Sequence, residues 1–262
     1  MPLNVIFANA PLNELICGIQ FDISGFNFVI ENDFYSRIKS NFPKIKENPP
    51  LPFTFDKYSS SSIRQEKRLP FLKRYFFISE SESKLIQLQE GRYLFNWRML
   101  EGVETEYPRF KSVYKEFYEN WEILKSIFNS HSLKFNVNQL ELSYIDHIYV
   151  DKFEIPIGKI DEVFTFFNSV SNLAKLDYID FNFALPVPEL KGHLNLKLST
   201  ATRNIDKKEL LVFDMTLRGM LSEENDPLDN WFTTAHDIII REFLNLITEK
   251  SKEIWGLVNE SR

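Results

Sequence analysis

The chain has 262 residues, of which 44% are hydrophobic and 26% charged, and its formal net charge is −6. This is the composition of a globular protein with enough apolar mass for a core, and the length suits one large domain or two halves. The acidic balance argues against binding to nucleic acid mainly through bulk electrostatics. The single cysteine, Cys17, excludes an intrachain disulfide and a cysteine-based metal cage.

Two features bear on membranes and export. No apolar run reaches the roughly 18 to 20 residues that cross a bilayer. Residues 1–18, MPLNVIFANAPLNELICG, lack a basic region and are interrupted by Asn and Pro, so they make a poor signal peptide. The sequence therefore predicts a cytoplasmic protein without a membrane association.

The first half of the chain alternates between strand and helix patterns. Period-two alternation over residues 14–23 predicts a half-buried strand, and apolar residues spaced by four within 31–43 predict a short helix. Residues 44–72 are rich in Pro and Ser and are interpreted as a long loop with at most one irregular strand near 53–58. The strand RYFFIS and the hairpin KLIQLQEGRYLFNWR follow, and then a helix over 108–130.

The pattern then restarts. A strand is predicted over 138–150, a helix over 161–171, three strands up to residue 219, and a long helix over 227–255. The order strand, helix, several strands, long helix thus occurs twice, which suggests an internal repeat with halves 1–135 and 136–262 in one compact unit. The fold class is α+β, with an antiparallel sheet or sheets and long helices packed on one face.

Strand parity predicts that the other face of the sheet is polar. In the hairpin, a two-residue turn at Glu90-Gly91 pairs Leu88 with Tyr93 and Ile86 with Phe95 on the core side, where Trp97 joins them. The opposite side and the equivalent positions of the second half supply a candidate binding surface, which consists of Gln87, Gln89, Arg92, Asn96, Arg98 and Arg218. Because its acidic and basic residues are nearly balanced, this face suits a polar ligand or a protein partner better than nucleic acid.

The best candidates for acid–base chemistry lie on the same predicted face. They are His147, which follows Asp146 in the chain, and Glu141, His193 and Asp214. These residues belong to different strands of unknown order, so their proximity is a hypothesis. Solvated or cross-strand-paired side chains are the simpler interpretation.

Other motifs point to structure rather than chemistry. The doublet His236-Asp237 is similar to a metal-binding pair, but a metal needs further ligands, and Asp237 is well spaced to pair with Arg241 one helical turn later. The sequence contains no Walker loop, G-x-G-x-x-G, G-x-S-x-G or HExxH motif. Neither a metal site nor a cofactor is predicted.

A short basic stretch, RQEKRLPFLKR, stands out near the end of the long loop. It contains Arg64, Lys67, Arg68, Lys73 and Arg74. This stretch suits an acidic partner or nucleic acid, although a solvated loop is the commoner explanation for such a run.

Several segments in order resemble one protein family. They are APLNELICGIQF at 10–21, the FNWR that ends the hairpin, YPRF at 107–110, LELSYIDHI at 140–148, and HDIIIREFLNLIT followed by IWG. Together they are similar to a sporadically distributed family of bacterial and archaeal proteins of about this length, for which no activity is established. The resemblance implies no catalytic residue, and the patchy distribution suggests an accessory role such as defence against phage or mobile elements.

Two functions follow as hypotheses. The favoured one is a non-catalytic binding protein that engages a protein partner, or a second copy of itself, through the polar sheet face or the 44–72 loop. The alternative is a hydrolase or nuclease with an acid–base or metal site around His147, Glu141, His193 and Asp214.

Overall fold

A computed structural model describes residues 4–54, 72–100, 106–149, 157–167, 178–203, 205–221 and 227–261. Within these residues the chain forms an antiparallel α+β fold, which confirms the predicted class. Nine strands make one open sheet, and the helices pack on one of its faces. A separate two-stranded sheet joins the two ends of the described chain.

The elements have the following bounds. The strands are β1 Asn4–Phe7, β2 Leu12–Ile23, β3 Lys44–Asn48, β4 Arg74–Ile78, β5 Lys84–Gln89, β6 Arg92–Arg98, β7 Phe135–Tyr149, β8 Asp180–Val187, β9 Gly192–Thr202, β10 Glu209–Gly219 and β11 Leu257–Ser261. The helices are α1 Phe28–Ile38, α2 Phe110–Ser130, α3 Leu228–Leu246 and α4 Glu249–Ile254. Short 3₁₀ turns occupy Ile157–Glu162, Thr165–Phe167 and Pro188–Leu190.

The strand order of the large sheet is β3-β4-β5-β6-β2-β7-β10-β9-β8. The first strand of each predicted half, β2 or β7, therefore lies beside the last strand of the same half, β6 or β10. The two first strands pair with each other at the centre, where Cys17 is opposite Leu142. Both halves thus supply strands to a single sheet, and their topologies correspond.

The core lies between the sheet and the helices. Tyr93, Phe95 and Trp97 are almost fully buried on the helix side, and the hairpin register pairs Leu88 with Tyr93 and Ile86 with Phe95 as predicted. Trp121 of α2 packs on Tyr93 with ring centroids 5.8 Å apart. Cys17 lies in the same core, where burial raises the pKa of its thiol and leaves it an inert apolar group.

Three predicted elements differ from the structure. The helix predicted over 227–255 is broken, because Ile247 is extended and forms a bridge with Phe164, after which the Thr248 side chain caps α4. In place of an α-helix over 161–171, the described residues up to 167 form 3₁₀ turns. Residues 44–48, predicted as loop, form the edge strand β3, while most of the strand predicted near 53–58 lies outside the described residues.

Among the described residues, no helix is both long and apolar enough to cross a bilayer.

Candidate functional site

The face of the large sheet opposite the helices carries a polar cleft. Its volume is 380 Å³, and it lies over the middle strands of the sheet. Most of the polar residues that line it come from strands β4, β5, β6, β7 and β10, and Thr54 lies outside the strands. The strand residues are Arg74, Gln87, Arg92, Glu141, Ser143, Asp214, Thr216 and Arg218.

At the centre of this cleft, one carboxylate is held between two arginines. Glu141 Oε2 accepts a hydrogen bond from Arg92 Nη2 at 2.9 Å and from Arg218 Nε at 2.5 Å. Burial favours the neutral form of Glu141, but the two guanidinium groups outweigh it and lower the pKa of this carboxyl. The Arg92-Glu141-Arg218 triad is therefore ionised at neutral pH.

A glycine lies beside this triad. Arg92 is on β6 and Glu141 is on β7, and β2 runs between them. Gly18 of β2 pairs with Glu141, and a Cβ atom added at Gly18 would lie 2.5 Å from Leu94 Cδ2 and 3.3 Å from Glu141 Cβ. The absence of a side chain at Gly18 thus leaves room for Leu94 to pack against β2 beside Glu141.

A second hydrogen-bonded line crosses four strands. Arg74 Nη1 donates to Gln87 Oε1 at 2.8 Å, Gln87 Nε2 donates to Asn96 Oδ1 at 3.0 Å, and Asn96 Nδ2 donates to Glu14 Oε1 at 2.8 Å. Burial lowers the pKa of Arg74, as does the nearby charge of Arg92. Arg74 also stacks over Phe76, with its Cζ 4.8 Å from the ring centroid. Gln87 and Asn96 are thus used to hold Arg74 and Glu14 in place.

The third polar group of the cleft is a pair of hydroxyls beside a carboxyl. Thr216 Oγ1 lies 2.7 Å from Ser143 Oγ and 2.6 Å from Asp214 Oδ1. Thr216 is the donor in both contacts, and because it has one hydroxyl hydrogen it donates to one of these two oxygens at a time. Burial raises the pKa of Asp214, whereas the two guanidinium groups lower that of Glu141.

A backbone segment at residues 50–54 covers one end of the cleft. Leu51 N donates to Gln89 Oε1 at 2.8 Å, and Gln89 Nε2 donates back to Leu51 O at 2.9 Å. Thr54 N donates to Gln20 Oε1 at 3.1 Å, and Arg92 Nη1 donates to Pro52 O at 3.4 Å. The two glutamines thus fix the segment over the sheet, and the buried polar side chains beneath it are shielded from water.

The predicted binding residues divide into three groups. Gln87, Arg92 and Arg218 line the cleft. Gln89 and Asn96 are buried and hold the cover segment and Glu14, so they act in positioning. Arg98 does not line the cleft, and its Nε donates to Glu82 O at 2.8 Å beside the β4–β5 turn.

The proposed acid–base residues are not all brought together. Glu141 and Asp214 line the cleft, but His147 lies six positions further along β7, or roughly 20 Å away. His193 is level with Arg218 on β9, about two strand spacings from Glu141, or roughly 10 Å. Burial lowers the pKa of His147, and its Nδ1 has no hydrogen-bond partner within the described residues.

The basic stretch contributes one residue to the cleft. Arg74 points to the polar face, whereas its neighbour Lys73 pairs with Glu47 on β3. Arg64, Lys67 and Arg68 lie outside the described residues.

Part of this site was not predicted from the sequence. Ser143 and Thr216 were not proposed as site residues, although their parity with Glu141 and Asp214 indicates the polar face. Arg74 was proposed only as part of the basic stretch, although it begins the predicted strand RYFFIS and its alternation with Tyr75 and Phe77 places it on the polar face. No sequence pattern indicates a role for Leu51, Pro52 and Thr54, because that role depends on the path of an irregular segment.

Among the described residues, no group of three or more His, Cys, Asp or Glu side chains could hold a metal by its geometry. His236, the histidine of the His236-Asp237 doublet, packs on Phe110 and lies 2.7 Å from the Tyr144 hydroxyl, which gives it a structural role.

No family model and no curated protein matches the chain.

Proposed function

We propose that this is a non-catalytic binding protein that holds an acidic side chain of a protein partner in the polar cleft. The observation that carries the proposal is Arg74, which lines the cleft and forms no ion pair with any described carboxylate. Its bonds to Gln87 and its stacking on Phe76 fix the guanidinium without neutralising it.

The charge of the cleft supports an anionic ligand. Arg74, Arg92 and Arg218 face two carboxyls, Glu141 and Asp214, and burial raises the pKa of the second. The cleft is therefore net positive although the whole chain is acidic. The planar guanidinium of Arg74 suits a carboxylate ligand, because guanidinium and carboxylate groups form charge-assisted hydrogen bonds of matching geometry.

The dimensions of the cleft support a side chain rather than an extended surface. A volume of 380 Å³ is near the lower end of the range for ligand pockets. The cover segment places the half-buried residues Leu51 and Pro52 beside the cleft, where they narrow its mouth. Binding of this kind uses a charge-assisted hydrogen bond and needs no catalytic group.

The experiment compares two labelled peptide pools by fluorescence anisotropy. In one pool each peptide has a central Glu, and in the other the same peptides have Gln. The proteins are the wild type, Arg74→Gln and the adjacent control Lys73→Gln, which removes an exposed charge that is paired with Glu47. We expect the wild type and Lys73→Gln to prefer Glu peptides by about tenfold and Arg74→Gln to lose the preference.

Two outcomes would refute the proposal. One is equal affinity of the wild type for the two pools, and the other is an unchanged preference in Arg74→Gln. Added salt should weaken Glu-peptide binding, because ion pairs that are partly exposed are screened.

The hydrolase or nuclease hypothesis has less support. Its four residues do not form one cluster, since His147 and Glu141 are separated along β7. Turnover in a phosphatase, esterase or nuclease panel that is lost in Asp214→Asn would favour it over binding. Three further properties stay predictions: an accessory or defence role, a cytoplasmic location and a homo-oligomeric state. Sedimentation of the purified chain tests the homo-oligomeric state.

A further inference from the structure

A second groove lies on the helix side of the sheet, on the face opposite the polar cleft. It has a volume of 220 Å³ and is bounded by α1, by the edge strand β3 and by its neighbour β4. Four of its seven described lining residues are aromatic, Ile45 and Asn32 complete the wall, and Glu31 of α1 supplies a carboxylate. Nothing in the binding function proposed above uses this groove.

The aromatic walls have a regular arrangement. The rings of Tyr35 and Phe77 are stacked at 5.5 Å with an interplanar angle of 17°, and those of Tyr75 and Phe77 at 6.2 Å with an angle of 10°. Phe28 stands at the rim with 72% of its surface exposed, which is unusual for so large an apolar residue. The faces of such rings carry partial negative charge and attract cations.

Glu31 is the unusual member of the groove. Its residue is only 6% exposed, and its Oε1 atom is buried without a hydrogen-bond partner in the described residues. Burial raises the pKa of Glu31 to about 7. A buried carboxylate is costly unless it is paired, so the site favours a ligand that supplies a positive charge.

The basic side chains nearby are engaged elsewhere. Lys44 bonds to Glu82 at 3.0 Å, Lys73 pairs with Glu47, and Arg37 donates to Ser126 at 2.8 Å. Within the described residues, no ion pair reaches Glu31. Negative ring faces, a buried carboxylate and apolar walls together describe a site for a poorly hydrated cation.

We infer that the groove binds an alkylated ammonium ion, with Glu31 as its counter-ion and Phe28, Tyr35 and Tyr75 in contact with its alkyl groups. A fully alkylated ammonium suits the site because it combines the positive charge with an apolar surface that packs on the aromatic rings. The positive charge distinguishes this ligand from an apolar molecule of the same shape.

The test uses choline and its neutral isostere 3,3-dimethyl-1-butanol, in which carbon replaces the charged nitrogen. Isothermal titration calorimetry at pH 8 compares both ligands on the wild type, Glu31→Gln, Phe28→Ala and the control Glu47→Gln. Glu31→Gln keeps the shape of the side chain, and Phe28→Ala removes an exposed ring. Glu47→Gln removes a carboxylate that is paired with Lys73 outside the groove. Circular dichroism verifies that each variant is folded.

We expect the wild type and Glu47→Gln to bind choline saturably and at least about tenfold more tightly than the isostere. Glu31→Gln should lose this preference, and Phe28→Ala should weaken choline binding several-fold. Absence of choline binding overturns the inference. Equal binding of the two ligands, or an unchanged preference in Glu31→Gln, overturns it as well, because the groove would then be only apolar.

Discussion

Arg92 and Glu141 form a buried ion pair at 2.9 Å across an intervening strand. The contact joins the two halves of the chain, because Arg92 belongs to the first and Glu141 to the second. It is completed by Arg218, which comes from the strand on the far side of Glu141. The cleft therefore depends on the correct pairing of β2 with β7.

The triad makes a prediction for stability. Glu141→Gln would leave two guanidinium groups close together without the carboxylate between them. Because removal of one partner from a buried ionic group leaves an uncompensated charge, we expect a loss of about 3 to 5 kcal/mol in the free energy of unfolding. Urea denaturation followed by circular dichroism measures this change.

A surface pair provides the control for this prediction. Glu116 pairs with Lys84 at 2.6 Å, and both side chains are about one-third exposed. Glu116→Gln should cost less than about 1 kcal/mol. If the two substitutions had the same effect, the triad would not be the ionic centre that its burial and geometry indicate.

The pH dependence of stability should depend on Asp146. This residue is buried on the helix side of β7 beside an apolar cavity, and its burial, together with the charge of Asp214, raises its pKa to about 8. The folded state therefore holds a proton that the unfolded state releases near pH 4, and stability falls as the pH rises between these values. Asp146→Asn should remove this slope and stabilise the protein at pH 8 by on the order of 3 to 5 kcal/mol.

Unfolding curves of the wild type and Asp146→Asn at pH 5 and pH 8 test whether stability falls as the pH rises. The wild type should lose more stability between the two pH values than the variant does. A steeper loss in Asp146→Asn, or parallel behaviour, would show that the carboxyl is ionised in the folded protein.

The cover segment makes a third prediction. Gln89 binds Leu51 through both a donor and an acceptor, so Gln89→Ala removes both bonds at once. We expect faster amide hydrogen exchange at Leu51, Phe53 and Thr54, with little change at Phe77 or Phe95 in the core. Unchanged exchange at Leu51 would mean that other contacts hold the segment.

Much of the fold follows from periodicity alone. Alternation placed Tyr93, Phe95 and Trp97 on the core side and Asn96 on the other, because one face of the sheet is covered by helices. The break at Ile247 was not predictable in the same way. It depends on a bridge to Phe164, which is a tertiary contact that overrides a continuous helical pattern.

The site was harder to predict than the fold. Parity grouped Arg92, Glu141 and Arg218 on one face, but it could not give the strand order that brings them into contact. Strand parity also grouped His147 with Glu141, because residues on one face of a strand share parity however far apart they lie. The bonds of Gln89 to Leu51 were not predictable either, because Leu51 lies in an irregular segment without a sequence pattern.

The most direct test of the proposed function is a double-mutant cycle between the cleft and its ligand. Dissociation constants are measured for the wild type and Arg74→Gln, each with a peptide that has a central Glu and with its Gln counterpart. If Arg74 binds the carboxylate, the two changes should be coupled by about 1 to 3 kcal/mol, so that the second costs little once the first is made. A coupling energy near zero would contradict the account, because Arg74 and the acidic side chain would then act independently.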